Sequence, residues 1–438
     1  MSIGRTRDIG FATALALVMG NMIGSGVYLL PASLAPYGGI SVIGWFVSAG
    51  GAILLGLAFA NLARSAPMAG GPYAYTRIAF GDLAGFLVAW LYWLSVWCGN
   101  AAIAVAFVGY LDPFLPGLAR APAIAAGLAI AVVWLLIAVN TFGVREAGRV
   151  QIVTTLLKVL PLAAIAVAGL TLLDTSHFTM TQTTPADLGR GVFATVTLTL
   201  WAFTGMDAAT IPAGHTENPE QTIPRATVIG ILLTAGIYIA STVAVMGLVA
   251  PDRLATTTAP FAEAARMVFG DPASLIVAAG AAVSTFGALN GWTLVVGQLP
   301  QAAAQDGLFP AAFGRTSRRG IPVTAMVISG LLASALIAAN YTRGLVGLFT
   351  FTILLATLGA LVPYVFCSLA GFLVPASREG GHQRPNVRAR SRVVSGLAFV
   401  YAMCAIAGSG LETIFWGFLL LLAGLPVYVW VVLHRQPG

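Results

Sequence analysis

Charge is what this chain has least of. Of its 438 residues only 8% are Asp, Glu, Lys or Arg, against roughly 25% in a soluble globular chain. A soluble fold of this length needs a charged surface over its core, so a soluble enzyme or binding domain is excluded. Lysine occurs once, at Lys158, and every other member of the 22 basic residues is arginine. Cysteine is scarce too. Cys98, Cys367 and Cys404 all fall in apolar runs, without disulfide or metal-ligand spacing, and read as core filler. His177, His215, His382 and His434 fall in loops or tails, so no Ser/His, paired-Asp or metal constellation forms within the apolar runs. No enzyme, metal or cofactor is expected. A channel or receptor is disfavoured by the lack of a ring-forming selectivity motif and of an appended sensor domain.

What is present is apolar surface, at 58% of the residues. Runs of about 20 apolar residues recur along the chain, each able to cross a hydrocarbon core of ~30 Å. They lack the alternation of barrel strands and are rich in Ala, Leu, Val and Gly, which suits packed helices in lipid. The first run is broken by glycines and carries no small-residue cleavage site, so it reads as a retained helix rather than a signal peptide. The expected fold is an all-α polytopic membrane protein of 12 transmembrane helices, near 9–35, 39–64, 82–111, 122–142, 150–172, 191–212, 226–250, 273–304, 321–340, 345–374, 393–409 and 415–433.

The net charge of +7 does not imply nucleic acid, because the arginines are scattered among short loops without a basic, aromatic-interleaved surface. With an even helix count, 16 arginines fall on the side of both termini and 5 on the other. Positive loops stay cytoplasmic, so a multi-pass protein of the inner (plasma) membrane with both termini in the cytoplasm is expected.

Two of the helices are built to break. The first carries Gly20-Asn21-Met22-Ile23-Gly24-Ser25-Gly26 and then Pro31, and the sixth carries Phe203-Thr204-Gly205-Met206-Asp207 and then Pro212. Glycine at this density destabilises a helix at each step. Breaks at corresponding points of two five-helix halves are the mark of an inverted repeat, with halves at 9–172 and 191–374 and a further pair at 393–433. Unwound backbone at membrane depth survives where it lines a cavity, and the half-helix amides it frees are donors for an anion such as a carboxylate.

These residues, with GNMIGSGVYLLPASLA at 20–35, the GGPYAY loop at 70–75, LYWLSVWCGN at 91–100, LWAFTGMDAAT at 200–210 and NGWTLVVGQ at 290–298, resemble the amino acid–polyamine–organocation superfamily, and within it the arginine/agmatine antiporter branch. The resemblance spans nearly the whole chain. It implies a LeuT-like inverted 5+5 repeat with two peripheral helices, alternating access, and a homodimer through the last helix pair. It also implies that Ser25 and the amides around Met22, Gly24 and Gly26 hold a substrate carboxylate. Main-chain carbonyls near Trp201, Phe203 and Thr204 would receive the α-ammonium, and Asn100 and Trp292 would meet the side chain. Trp201 would lie over the substrate as a gate, with Tyr92, Asp207 and Tyr364 as a more distant closing layer.

Two features depart from that branch. Lys158 sits mid-way along the fifth run, and lysine, unlike arginine, can give up its proton. It is the expected proton site, placed to touch helix-one carbonyls near Gly20 and the hydroxyl of Ser284 or Thr285, as a lysine does in other branches of the superfamily. Asp207 stands where the branch has glutamate, one methylene shorter, so its reach to Tyr92 and Tyr364 is in question; it is the second proton candidate, and an ion pair with Lys158 is an alternative. Two functions follow: an exchanger of a cationic amino acid or its amine, or a proton-coupled amino-acid permease of broader or neutral specificity working through Lys158. The expected partners are a small amino acid or amine, protons and the lipid bilayer.

Overall fold

The computed structural model describes residues 9–24, 26–118, 121–179, 184–257, 259–343, 346–374 and 385–434. Among these the only β contact is an isolated bridge between Ile9 and Thr216; everything else regular is helix. In chain order the α-helices are α1 (Phe11–Met22), α2 (Gly26–Leu34), α3 (Ile40–Ser65), α4 (Pro72–Phe80), α5 (Asp82–Leu111), α6 (Pro122–Thr141), α7 (Val144–Thr171) and α8 (Pro185–Leu200). They continue with α9 (Pro219–Leu248), α10 (Pro251–Thr256), α11 (Pro260–Phe269), α12 (Pro272–Gln305), α13 (Val323–Arg343), α14 (Val346–Leu373), α15 (Pro385–Gly408) and α16 (Leu411–Leu433).

Eight of these are long and apolar enough to cross a bilayer alone, and the pair α1 and α2, bent by 42° at their break, makes one more. Shorter apolar helices lie within α13 and α14, at 323–339 and 358–373, and together these make a polytopic all-α membrane protein; α8 stands where the sixth of the twelve expected spans was placed. Proline opens many of them (Pro72, Pro122, Pro185, Pro219, Pro260, Pro272), where its missing N–H is not needed. The outer surface is apolar, with Ile124, Leu160, Val167, Ile276 and Leu411 all more than 60% exposed, as suits contact with acyl chains rather than water.

Several sequence boundaries move. The sixth run begins at Pro185 and its α-helix stops at Leu200, earlier than the Phe203–Asp207 break expected; beyond it the chain makes only 3-10 turns at Trp201–Phe203, Ala208–Thr210 and Ala213–His215. Within this stretch Gly205 has φ 96°, and the Thr210 amide and hydroxyl both donate to the Asp207 carbonyl, at 2.8 and 2.6 Å, so the α-helix does not resume there. The GGPYAY segment, taken as a loop, opens α4, and α10 and α11 lie in the matching connection of the second half. Cys404 is exposed on α15 rather than buried as filler.

At the centre α5 packs on α12 and α14, while α7 packs on α9 and α12. A buried amide chain ties four of the spans. Asn140 donates to Asn290 Oδ1 (3.2 Å), Asn290 donates to Gln151 Oε1 (3.0 Å), and Gln151 donates to the Ala16 carbonyl of α1 (3.3 Å). In lipid such bonds fix the register of helices that hydrophobicity alone would not order.

The α5–α14 crossing is close because Gly359 lets it be: a Cβ there would lie 2.5 Å from Ser95 Cβ and 2.9 Å from the Leu91 carbonyl oxygen. Gly359→Val is therefore expected to destabilise the protein by about 1–3 kcal/mol, the usual cost of overpacking. Thermal unfolding of the detergent-solubilised protein measures it; an unchanged midpoint would show that the crossing is loose.

Candidate functional site

The break in the first span leaves carbonyls without helical donors, and the fifth span supplies them. Lys158 of α7, fully buried, points its Nζ at Gly20 O (2.7 Å), Ile23 O (2.7 Å) and Ser284 O of α12 (3.3 Å). Three acceptors match the three N–H bonds of an ammonium. The Ser284 hydroxyl does not serve Lys158, as the sequence suggested; it donates to Ile23 O (3.1 Å), and Thr285 bonds back into its own helix at Ala281 O (3.0 Å). Tyr238 of α9 donates to Met22 O at 2.7 Å. The unwound backbone is thus satisfied from three neighbouring spans.

Next to the break lies a cavity of about 100 Å³, lined by Asn21, Met22, Gly24, Gly26, Thr204 and Trp292 together with small residues of α5 and α14. Here the Gly24 amide donates to Met22 O (2.9 Å), while Gly24 itself lines the cavity. The available donors are instead the first-turn amides of α2, from Gly26 onward, which have no acceptor within their own helix. Ser25 lies outside the described residues, as does the side chain of Trp201, whose backbone begins the turn at the second break.

Phe203 is not at the cavity: its ring packs between Trp45 and Tyr238 at centroid distances of 6.0 and 5.7 Å. Asn100 is buried beside the lining residue Gly99, and its Oδ1 has no partner among the described residues. Sequence reasoning missed Asn21, which lines the cavity with neither side-chain amide atom partnered among the described residues. A polar side chain at the centre of the broken segment was the available signal. It also missed Gly205, where a Cβ would meet Trp292 at 2.9 Å and Asn21 Cβ at 3.0 Å, at a positive φ of 96°. There the two breaks and Trp292 touch, so only glycine fits.

A buried hydrogen-bonded cluster stands next to Trp292 of the cavity lining. Tyr92 of α5 donates to Asp207 Oδ2 and Tyr364 of α14 to Asp207 Oδ1, both at 2.7 Å, while the Gly205 amide donates to the Tyr364 hydroxyl at 3.0 Å. All three side chains are fully buried. The shorter aspartate therefore does reach both tyrosines. Trp292, which lines the cavity, makes a T-shaped contact with Tyr92 at a centroid distance of 6.5 Å. Asp207 and Lys158 have separate partners and form no ion pair with each other.

A broken helix facing a cavity inside a bundle of apolar helices is a feature shared with membrane carriers. Sequence comparison gives the family. The amino acid permease family matches residues 9–430, and the chain belongs to it. It is 32% identical over 460 residues to a Bacillus subtilis (strain 168) protein assigned as an arginine/ornithine antiporter, covering 98% of this chain and 97% of that one. It is 35% identical over 335 residues to the cadaverine/lysine antiporter of Escherichia coli (strain K12), covering 75% and 74%. The putrescine transporter PotE of the same organism is 30% identical over 433 residues, covering 98% and 97%.

Each tyrosine–aspartate bond is a hydrogen bond to a buried carboxylate, of the kind worth about 1.5–3 kcal/mol. Tyr364→Phe and Tyr92→Phe should each lower stability by that order, and the double variant by less than the sum, because they share one acceptor. Denaturation of the four proteins forms the cycle; strict additivity would show that the two bonds act separately.

Proposed function

We propose that the chain is a secondary carrier that exchanges a cationic amino acid for another, or for its amine, by alternating access across an inner membrane. The observation that carries this reading is the cavity at the helix break, with the first-turn amides of α2 and the Trp292 ring both at its lining. A carboxylate suits the first, by helix-end electrostatics. A desolvated cation suits the second, where cation–π contact contributes about 2 kcal/mol. The names of the three relatives, all amino-acid or amine carriers by that description, support the same substrate class. The arginine asymmetry supports cytoplasmic termini, so the Tyr92–Asp207–Tyr364 plug closes the cytoplasmic side and the cavity opens outward. The apolar outer face of α16, with Phe415, Trp416 and Phe418 exposed, is available to lipid or to a second copy of the chain.

Counterflow tests the substrate class. Proteoliposomes loaded with unlabelled arginine, ornithine, lysine, agmatine, cadaverine or putrescine should accumulate labelled arginine or lysine. Stimulation by neutral amino acids alone would overturn the reading.

One observation favours a second function for the same site. The described lining of the cavity holds no acidic side chain, and Asp207 gives both oxygens to tyrosines, so an uncharged side chain meets no electrostatic penalty there. In that case Lys158 would couple import to protons. As an ammonium it ties α1 to α12 through three carbonyls; as an amine it has one donor fewer and a lone pair facing an acceptor. Lys158→Ala should keep pH-insensitive exchange and lose the pH dependence, whereas Lys158→Arg, permanently charged, should be inactive. Initial uptake rate against pH for proteins reconstituted at equal density decides it; a wild-type pH profile in the alanine variant would make Lys158 a structural cation.

Binding at the break has its own check. Gly26→Val places bulk over the first-turn amides of α2 and is expected to abolish substrate binding without unfolding the protein. Unchanged affinity by scintillation proximity would move the carboxylate site elsewhere.

A further inference from the structure

The first break is rich in main-chain carbonyls, but those on either side of Asn21 already accept. Met19 O takes the Ile23 amide (2.8 Å), and Gly20 O takes Lys158 (2.7 Å). Met22 O takes Tyr238 (2.7 Å) and the Gly24 amide (2.9 Å), and Ile23 O takes Lys158 (2.7 Å) and Ser284 (3.1 Å). With two lone pairs on each oxygen, Met22 O and Ile23 O are full. An ammonium arriving at this part of the cavity finds few main-chain acceptors left in the first break.

The Asn21 side chain is in the opposite condition. It is 4% exposed and lines the cavity, and neither its Oδ1 nor its Nδ2 has a partner among the described residues. Ser95, another polar residue of the lining, is engaged with Tyr92 O at 2.8 Å. Burying an amide without partners is costly, so a residue that only filled the space would be apolar. Two glycines make room for this one. A Cβ at Gly291 of α12 would overlap Asn21 Oδ1, and a Cβ at Gly205 would lie 3.0 Å from Asn21 Cβ. A carboxamide carries two donors at one end and an acceptor at the other. With no protein partner to hold it, half a turn of the amide presents either end.

An amino acid and the amine left when its carboxyl is removed differ at one place: the carboxylate gives way to hydrogen, and the ammonium beside it stays. The first-turn amides of α2 can serve only the carboxylate. We propose that Asn21 is the ambident contact that lets this one site take both cargoes: its Nδ2 donates to the carboxylate of the amino acid, and its Oδ1 turns to accept from the ammonium of the amine. Asn21 lies in the last turn of α1, where the helix end already favours a cation. The inference rests on the cargo proposed above and assigns one residue of its site.

The test is equilibrium binding of lysine and of cadaverine to the purified protein in detergent. Asn21→Ala should weaken both by a similar factor, about tenfold, because a hydrogen bond to a charged group is lost from either complex. Asn21→Asp, which only accepts when ionised, should raise the preference for cadaverine over lysine by about tenfold or more. Alanine adds no atoms that could clash with α12, and a thermal midpoint equal to the parent's checks the fold. An alanine variant that weakens lysine alone, cadaverine alone or neither overturns the proposal and leaves the cargo in place, as does a parent that binds lysine but not cadaverine. A parent that binds neither overturns the cargo itself, and this inference with it.

Discussion

The arrangement depends on an amine holding open a helix that would otherwise close. Breaking the first span leaves carbonyls at Gly20 and Ile23 facing apolar surroundings, where an unmet polar group costs several kcal/mol. Lys158 meets both and adds Ser284 of α12. One side chain thereby satisfies the break and ties it to the span that carries Trp292. A buried charge is itself expensive, so break and lysine make sense only together: the carbonyls solvate the ammonium and the ammonium replaces the missing amides.

Asp207 solves the same problem with opposite sign. Its carboxylate, equally buried, is solvated by two phenols and stays clear of Lys158. Because Tyr92 and Tyr364 belong to α5 and α14, the bonds that make the charge tolerable also draw these two spans across the end of the cavity. Moving either span costs a charged hydrogen bond. The cluster thus ties the second break to two spans at once.

Most of the architecture was legible because the signals are coarse: twelve apolar runs, arginine in alternate loops and glycine at two breaks. Lys158 could be found because it is unique, and its acceptors on α1 followed from the break. What differed was finer. The second break does include Phe203 to Asp207, but the α-helix ends earlier, at Leu200, and no composition signal marks that end. The direction of the Phe203 ring, into the core against Trp45, and the local bond of the Gly24 amide to Met22 O depend on side-chain and backbone detail that no sequence pattern carries. Asn21 was passed over although a polar side chain in that segment had to point somewhere.

The reach of Asp207 shows what decides such cases. A shorter acid in the place of glutamate seemed to endanger contact with both tyrosines, and would do so on a regular helix, where Cβ direction is fixed by the axis. The chain around Asp207 is not helical: 3-10 turns on either side and the positive φ of Gly205 let the backbone carry the carboxylate toward Tyr92 and Tyr364. The lost methylene is recovered by the main chain. The same glycine gives its amide to Tyr364 and its empty Cβ position to Trp292 and Asn21. The irregular backbone of the second break therefore sets the position of Asp207 between the two phenols, and rewinding it into regular helix would withdraw the carboxylate from both at once.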